Sequence, residues 1–155
     1  MPTAHHTRRL RDKKPSIQLR IPPDPRFART VRDAVTGFAS LHHVHDDDLE
    51  ALLFAIGEAL ANAIEHSRAT GDVEVRVEID QSLVLATVSD RGDGIAHLPV
   101  TRAPLPQPLS ERGRGIPIMQ RCVDTFRVDR LPEGGTTVTL GRLRRERGQE
   151  PHIAS

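Results

Sequence analysis

The sequence is poor in the residues that build several common kinds of functional site. It has no tryptophan or tyrosine and only four phenylalanines in 155 residues, so we expect no stacking of bases on an aromatic platform. Its single cysteine, Cys122, excludes an internal disulfide and any zinc or iron–sulfur site built from several cysteines. These shortages argue against a single-stranded nucleic-acid binder and against a thiolate metalloprotein.

Lysine is nearly absent as well. The only two lysines, Lys13 and Lys14, lie near the start of the chain. A P-loop needs a lysine beside its glycines, a protein-kinase core needs one on a strand, and Schiff-base chemistry needs a reactive amine. If this chain binds a nucleotide, it does so by another design.

Long apolar runs and a strong net charge are also missing. The longest apolar stretches, such as 51–56, are far too short to cross a bilayer, and no apolar signal core follows the basic start. The formal net charge of +1 provides no global field for nucleic acid or an anionic membrane. We therefore predict a cytoplasmic protein that binds neither a membrane nor nucleic acid directly.

The charge is concentrated at the two ends of the chain. Residues 1–14 hold five basic side chains against one acidic, and residues 142–155 hold four against two. We predict disordered basic tails at 1–14 and 144–155 around one domain at 15–143. A DNA-binding regulator that uses these tails remains an alternative.

The hydrophobic pattern predicts both helices and strands. Apolar and polar residues alternate in predicted strands at 16–21, 72–80, 82–89, 124–130 and 136–142. Helical spacing appears at 26–40, 46–67 and 115–123, the second helix being capped by Asp46–Asp48. We predict an α+β fold, a two-layer α/β sandwich with helices on one face of a mixed, mostly antiparallel sheet.

The second predicted helix carries polar residues at one-turn spacing. Glu58, Asn62 and His66 interrupt the apolar run and fall on one stripe, and Asn62 is the only asparagine of the chain. A carboxylate and an amide oxygen one turn apart suit Mg²⁺, and the carboxylate suits a general base. The solvated face of an amphipathic helix explains the same stripe.

Three glycine-containing segments follow. The first is Asp90-Arg-Gly92-Asp-Gly94-Ile95, at the end of a predicted strand, where glycines allow close approach to a flat ligand. Gly113-Arg114-Gly115 opens a helix whose free N–H groups suit an anion, and Gly135-Thr136 enters the last strand. Ordinary turns explain each segment taken alone.

In this order, the four segments resemble the ATP-binding domain shared by gyrase, Hsp90, sensor histidine kinases and MutL, the GHKL or histidine kinase-like ATPase superfamily. Within it, the short chain, the EALANAIEHS segment and the final GGTTVTL are similar to the anti-sigma factor serine/threonine-protein kinase family. The likeness covers about residues 16–142.

The resemblance implies ATP and Mg²⁺ as cofactors and a role for each matching residue. Asp90 would bind the adenine amino group with Thr136 assisting, and Asn62 would coordinate Mg²⁺. Glu58 would be the general base that activates a serine hydroxyl of a partner protein. The remaining residues would line the base or cover the phosphates, namely Gly92, Gly94, Ile95, Gly113, Arg114 and Gly115.

The resemblance also implies partners. The protein would sequester a sigma factor and phosphorylate an antagonist of the STAS-domain type. Relatives commonly dimerise, so a homodimer is compatible with the resemblance, although the sequence reveals no interface. The alternative is an ATP-binding partner-switching module that sequesters a regulatory protein without phosphotransfer.

Overall fold

A computed structural model of the chain describes residues 13–67, 71–91, 115–132 and 134–145. All eight predicted helices and strands are present, and their bounds differ from the prediction by at most two residues. In chain order the elements are β1 (Ser16–Ile21), a 3₁₀ turn (Pro25–Phe27), α1 (Ala28–Leu41), α2 (Asp46–His66), β2 (Val73–Ile79), β3 (Leu83–Asp90), α3 (Gly115–Cys122), β4 (Thr125–Arg130) and β5 (Thr136–Leu143).

The five described strands form one sheet in the order β1-β2-β3-β5-β4. All four pairings are antiparallel, so the expectation of a mixed sheet is corrected. β3 and β4 run in the same direction, but β5 lies between them and is antiparallel to both. The crossover through α3 therefore brings no two parallel strands side by side.

The helices cover one face of this sheet, which confirms the predicted α+β sandwich. Alternate residues of β2 and β3 are buried, as expected for strands that present one face to a core. α2 contacts β2, β3 and β5, and α1 contacts β1 and β2. The centre of the core is formed by large apolar side chains that solvent does not reach, including Leu52, Leu60, Val75, Val88, Met119 and Leu140.

Helix α2 begins with a different cap from the one predicted. His45 is the N-cap, and its Nδ1 accepts a hydrogen bond of 3.3 Å from the backbone N–H of Asp47. Asp46, Asp47 and Asp48 instead occupy the first turn, where negative charge interacts favourably with the helix dipole. Asp48 is unavailable as a cap because its buried carboxylate contacts Arg142 at the end of β5.

None of the described helices has both the length and the apolar character needed to cross a membrane.

Candidate functional site

Asp90 and Thr136 come together at one end of the sheet. Asp90 ends β3, Thr136 begins β5, and the two residues are paired in register. Both side chains lie on the face covered by the helices and are almost fully buried, with 4% and 1% of their surface exposed. A buried carboxylate and a buried hydroxyl thus lie on neighbouring strands, although the sequence separates them by 46 residues.

Gly135 sets the distance between the ends of these two strands. Its φ is +102°, a region open to glycine and rarely adopted by other residues. A Cβ at this position would overlap the carbonyl oxygen of Asp90 and lie 2.8 Å from the Cα of Arg91. Glycine is therefore required here so that the start of β5 can lie directly against the end of β3.

Helix α2 runs along the covered face from the opposite end of the sheet. Its first turn is fixed by Asp48, whose Oδ1 accepts a hydrogen bond of 3.1 Å from Nε of Arg142. From Asp48 to Asn62 the helix rises about 21 Å, and from Arg142 back to Thr136 β5 covers about 20 Å. The second half of α2 therefore reaches the end of the sheet that holds Asp90 and Thr136.

Glu58 and Asn62 are half-buried on this half of α2. Burial raises the pKa of the Cys122 thiol on α3, the positive charge of Arg142 opposes this shift, and the negative charge of Glu58 reinforces it. Glu58 is therefore within electrostatic reach of α3, which packs against α2. His66, the last residue of α2, is exposed to solvent.

Several predicted site residues cannot be placed with the others. Gly92, Gly94, Ile95, Gly113 and Arg114 lie outside the described residues. Gly115 is the first residue of α3, as predicted. The roles assigned to all of these residues stay predictions.

One cavity is on the opposite face of the sheet. It has a volume of about 560 Å³ and is lined by outward-facing residues of four strands, together with the strand ends. Arg20, Glu74, Ser89 and Thr137 belong to this lining, whereas Glu58 and Asn62 do not. Asp90, at the end of β3, belongs to the lining as well, so the cavity borders one residue of the predicted site.

The chain end after β5 is anchored to the body. The Arg144 guanidinium donates hydrogen bonds to the carbonyl oxygens of Asp80 and His42, and the backbone N–H of Arg145 donates one of 3.0 Å to Asp48. Both arginines belong to the predicted C-terminal tail, and Lys14 of the predicted N-terminal tail pairs with Asp80 at 2.9 Å. The basic composition of the two chain ends does not predict these contacts with the body of the protein.

A metal site at the histidine- and aspartate-rich start of α2 finds no support. Among the described residues, no group of three His, Cys, Asp or Glu side chains is arranged to hold a metal ion. His45 caps the helix and Asp48 contacts arginine, so local structure accounts for these side chains.

Known proteins match most of this chain. A model of the family described as histidine kinase-like ATPase domain matches residues 21–142. The serine-protein kinase RsbW of Bacillus velezensis is 30% identical over 134 residues, which covers 80% of this chain and 82% of RsbW. The anti-sigma F factor of Bacillus licheniformis is 36% identical over 100 residues, covering 61% of this chain and 68% of that protein.

A solved structure shows the same fold. The crystal structure of the RsbU and RsbW domains of Rv1364c from Mycobacterium tuberculosis superposes with a TM-score of 0.64 at 25% identity, over 85% of this chain. This chain spans about a third of that crystallised chain, 33% of its length. Taken together, the matched model, the identities and the shared fold place the chain in the histidine kinase-like ATPase family, among the relatives of the RsbW serine-protein kinases and anti-sigma F factors.

Proposed function

We propose that this chain is a Mg-ATP-dependent protein-serine kinase that also acts as an anti-sigma factor. The observation that carries the proposal is the register pairing of buried Asp90 with buried Thr136, on the sheet face covered by the helix that holds Glu58 and Asn62. The RsbW and anti-sigma F names of its relatives support the two activities.

The donor set at the end of the sheet fits an adenine base. An ionised carboxylate only accepts hydrogen bonds, so Asp90 suits the exocyclic amino group of adenine rather than the oxo group of guanine. The hydroxyl of Thr136, both donor and acceptor, is the adjacent polar group on the next strand. In this proposal Gly92, Gly94 and Ile95 complete the wall of the base pocket.

Asn62 is the residue proposed to hold Mg²⁺. Its amide oxygen is the hard donor type that Mg²⁺ prefers, and this ion usually takes few protein ligands together with phosphate oxygens. Bound Mg-ATP would supply the phosphoryl group for transfer. Gly113, Arg114 and Gly115 would cover the phosphates, with backbone N–H groups at the start of α3 and one guanidinium in place of the missing lysine.

Glu58 is the proposed general base. It lies one turn before Asn62 on α2 and is half-buried, so part of its side chain is accessible to a substrate. Its carboxylate would accept the proton of a serine hydroxyl as the oxygen attacks. A protein that only binds a nucleotide needs no carboxylate at this place.

We propose a sigma factor and a STAS-domain antagonist as the partners, met in the cytoplasm. A homodimer is part of the same proposal. Action through DNA-binding tails is disfavoured because Lys14, Arg144 and Arg145 already contact carboxylates and carbonyl oxygens of the protein itself. Those three cations are therefore engaged within the fold.

Transfer of labelled phosphate from ATP to a STAS-domain protein of the same organism tests this function. We expect the wild-type chain to label that protein on serine, and Glu58→Gln to lower the rate by a factor of about 10²–10⁴ with nucleotide affinity unchanged. Glu65→Gln is the matched control, because Glu65 lies on the same helix and is exposed. If the wild type binds ATP but labels no STAS-domain protein, the non-catalytic partner-switching module is the correct description.

A further inference from the structure

The guanidinium of Arg142 joins three elements at the end of the sheet opposite Asp90. Its Nε donates a hydrogen bond of 3.1 Å to Oδ1 of Asp48, in the first turn of α2. Its Nη1 donates one of 3.2 Å to the carbonyl oxygen of Cys122, the last residue of α3. Because the last carbonyl groups of a helix have no partner within it, Arg142 satisfies one of them and places a positive charge at the negative end of the α3 dipole.

The chain that leaves α3 is attached at the same place. The backbone N–H of Asp124 donates a hydrogen bond of 2.8 Å to the carbonyl oxygen of Gly141, and Oδ2 of Asp124 accepts one of 2.7 Å from the backbone N–H of Leu143. One attachment alone would act as a pivot, whereas two attachments fix the direction in which a helix points. Arg142, which holds the helix itself, therefore fixes the direction of α3.

The flank of α2 that faces this attachment is the one that carries Asn62. Asp48 and Asn62 are 14 residues apart, and at about 100° per residue they differ by only about 40° around the helix. Arg142 links the C-terminal end of α3 to Asp48, so α3 lies along this flank. Because α2 begins at Asp46, the rest of α3 can pack against α2 only in the direction of Asn62. The N-terminal end of α3, Gly115, therefore points towards Asn62.

We propose that Arg142 is a positioning residue for the binding of the ATP phosphates. The proposal rests on the proposed function, which places Mg²⁺ at Asn62 and the phosphates at the start of α3. By fixing the C-terminal end of α3, Arg142 holds the backbone N–H groups at Gly115 beside Asn62. The helix of eight residues is about 12 Å long, so a rotation of about 10° at Cys122 displaces its other end by about 2 Å. A displacement of that size breaks a hydrogen bond to a phosphate oxygen.

The proposed base contacts are held in a different way. Asp90 and Thr136 are fixed by the pairing of β3 with β5, and Arg142 lies about 20 Å along β5 from Thr136. A change in the direction of α3 should therefore weaken the phosphate contacts and spare those to the base. Adenosine, which has the base and the ribose but no phosphate, measures the base contacts alone.

The test compares the affinities of the full chain for Mg-ATP, by calorimetry, and for adenosine, by NMR titration. Arg142→Lys keeps the positive charge, but a single ammonium group replaces the two donors that are divided between Asp48 and α3. We expect the dissociation constant for Mg-ATP to rise at least tenfold, as for the loss of hydrogen bonds to a charged group, and that for adenosine to change less than twofold. A merely structural role would change both constants alike or neither.

Arg145→Lys is the matched control. Nε of Arg145 lies 3.6 Å from Oδ1 of the same Asp48 carboxylate, and its Nη1 pairs with Asp47. Among the described residues, Arg145 has no hydrogen bond or ion pair with α3. We expect Arg145→Lys to keep both dissociation constants within about twofold of wild type, as surface substitutions usually do.

The outcomes separate this proposal from the proposed function. Equal Mg-ATP affinity of wild type and Arg142→Lys would overturn the positioning role and leave the proposed function standing. An equal loss of Mg-ATP and adenosine affinity would do the same, because it would make Arg142 a residue of the fold only. If the wild type binds no Mg-ATP, the proposed function fails, and the positioning role fails with it.

Hydrogen exchange of the wild type keeps the test valid if Arg142→Lys fails to fold. Backbone amides in the last turn of α3, from Met119 to Cys122, should be protected before nucleotide is added, because that end of the helix is already fixed. Addition of Mg-ATP should change their exchange rates less than twofold and slow exchange at Gly115 and Ile116 at least tenfold. An equal gain of protection in both halves of α3 would overturn the proposal.

Discussion

Single residues at the end of the sheet determine whether the proposed site can form. Asp90 and Thr136 share a register position, and Gly135 permits this because its backbone takes a positive φ beside the carbonyl of Asp90. A position of this kind has no alternative residue, since both the steric clash and the backbone conformation select glycine.

Replacement of Gly135 by alanine should therefore damage both stability and nucleotide binding. We expect Gly135→Ala to lower the free energy of unfolding by about 1–3 kcal/mol, because the strained backbone and the displaced strand end both cost energy. Urea unfolding and ATP calorimetry measure the two effects. Gly37→Ala is the control and should raise stability by about 0.5–1 kcal/mol, because alanine favours the helix. Unchanged stability in Gly135→Ala would contradict this explanation of the strand junction.

The turn between β2 and β3 depends on one ionised residue. Oδ1 of Asp80 accepts hydrogen bonds from the backbone N–H groups of Ser82 and Leu83, and Oδ2 pairs with Lys14. The hydrogen bond from Lys14, followed by those from the turn, holds the pKa of the Asp80 carboxyl well below its usual value. The ionised form is therefore favoured more strongly in the folded chain than in the unfolded chain.

This shift predicts a dependence of stability on pH. Because the pKa of Asp80 is lower in the folded chain, its carboxylate stabilises the fold at pH values above its pKa in the unfolded chain, about 3.9. This stabilisation is lost as the pH falls towards the pKa in the folded chain. We expect the free energy of unfolding of the wild type to exceed that of Asp80→Asn by about 1 kcal/mol near neutral pH. This difference in stability should become smaller below about pH 4. Urea unfolding at several pH values measures this difference in stability. When both proteins also carry Lys14→Gln, the difference between them should be smaller. A gap that stays constant from neutral to acid pH would be incompatible with the shift.

At the scale of elements, α2 extends along the covered face from one end of the sheet to the other. Its first turn is held by Asp48, which is 1% exposed and accepts hydrogen bonds from Nε of Arg142 and the backbone N–H of Arg145. Its second half holds Glu58 and Asn62. A change at the first turn therefore affects the helix that carries the proposed chemistry.

Removal of the Asp48 carboxylate should destabilise the fold strongly. Asp48→Ala leaves the Arg142 guanidinium, which is 20% exposed, without its buried partner, and we expect a loss of about 3 kcal/mol. Asp47→Ala is the matched control, because it removes the same charge from the same turn but breaks only exposed pairs, with Arg145 and with His45, which contribute at most about 1 kcal/mol each. Chemical denaturation measures the free energy of unfolding of both variants. Similar decreases in Asp48→Ala and Asp47→Ala would show that the helix dipole, rather than the buried pair with Arg142, accounts for the destabilisation.

The elements were readable from the sequence because their patterns are local. The alternation of apolar residues in 72–80 and the spacing in 46–67 depend only on neighbouring residues, so the predicted bounds agree with the structure. The cap of α2 was missed because aspartate is a commoner N-cap than histidine, and the burial of Asp48 depends on Arg142, 94 positions away.

The order of the strands was not readable in the same way. Nothing in the sequence of β5 indicates that it lies between β3 and β4, because a hydrophobic pattern gives the face of a strand but not its neighbour. The pairing of Asp90 with Thr136, and hence the geometry of the candidate site, follows from that insertion.

At the scale of the whole molecule, nucleotide binding and folding are linked. A ligand that binds only the folded chain stabilises it by about 2.7 kcal/mol at a hundred times its dissociation constant. For a domain of this size we expect Mg-ATP to raise the melting temperature by roughly 6–10 °C under those conditions. This effect does not require phosphotransfer, so it separates binding from chemistry.

Two variants should distinguish nucleotide binding from phosphotransfer in a thermal-shift experiment. Glu58→Gln should keep the full Mg-ATP shift, because the proposed base acts on the serine hydroxyl and not on the nucleotide. Asp90→Asn should lose it, because an amide in place of the carboxylate presents a donor as well as an acceptor to the adenine amino group. Circular dichroism and the melting temperature without ligand confirm that each variant is folded. If Asp90→Asn keeps the full Mg-ATP shift in melting temperature, Asp90 does not bind the base. If Glu58→Gln loses that shift, Glu58 binds the nucleotide and is not the general base.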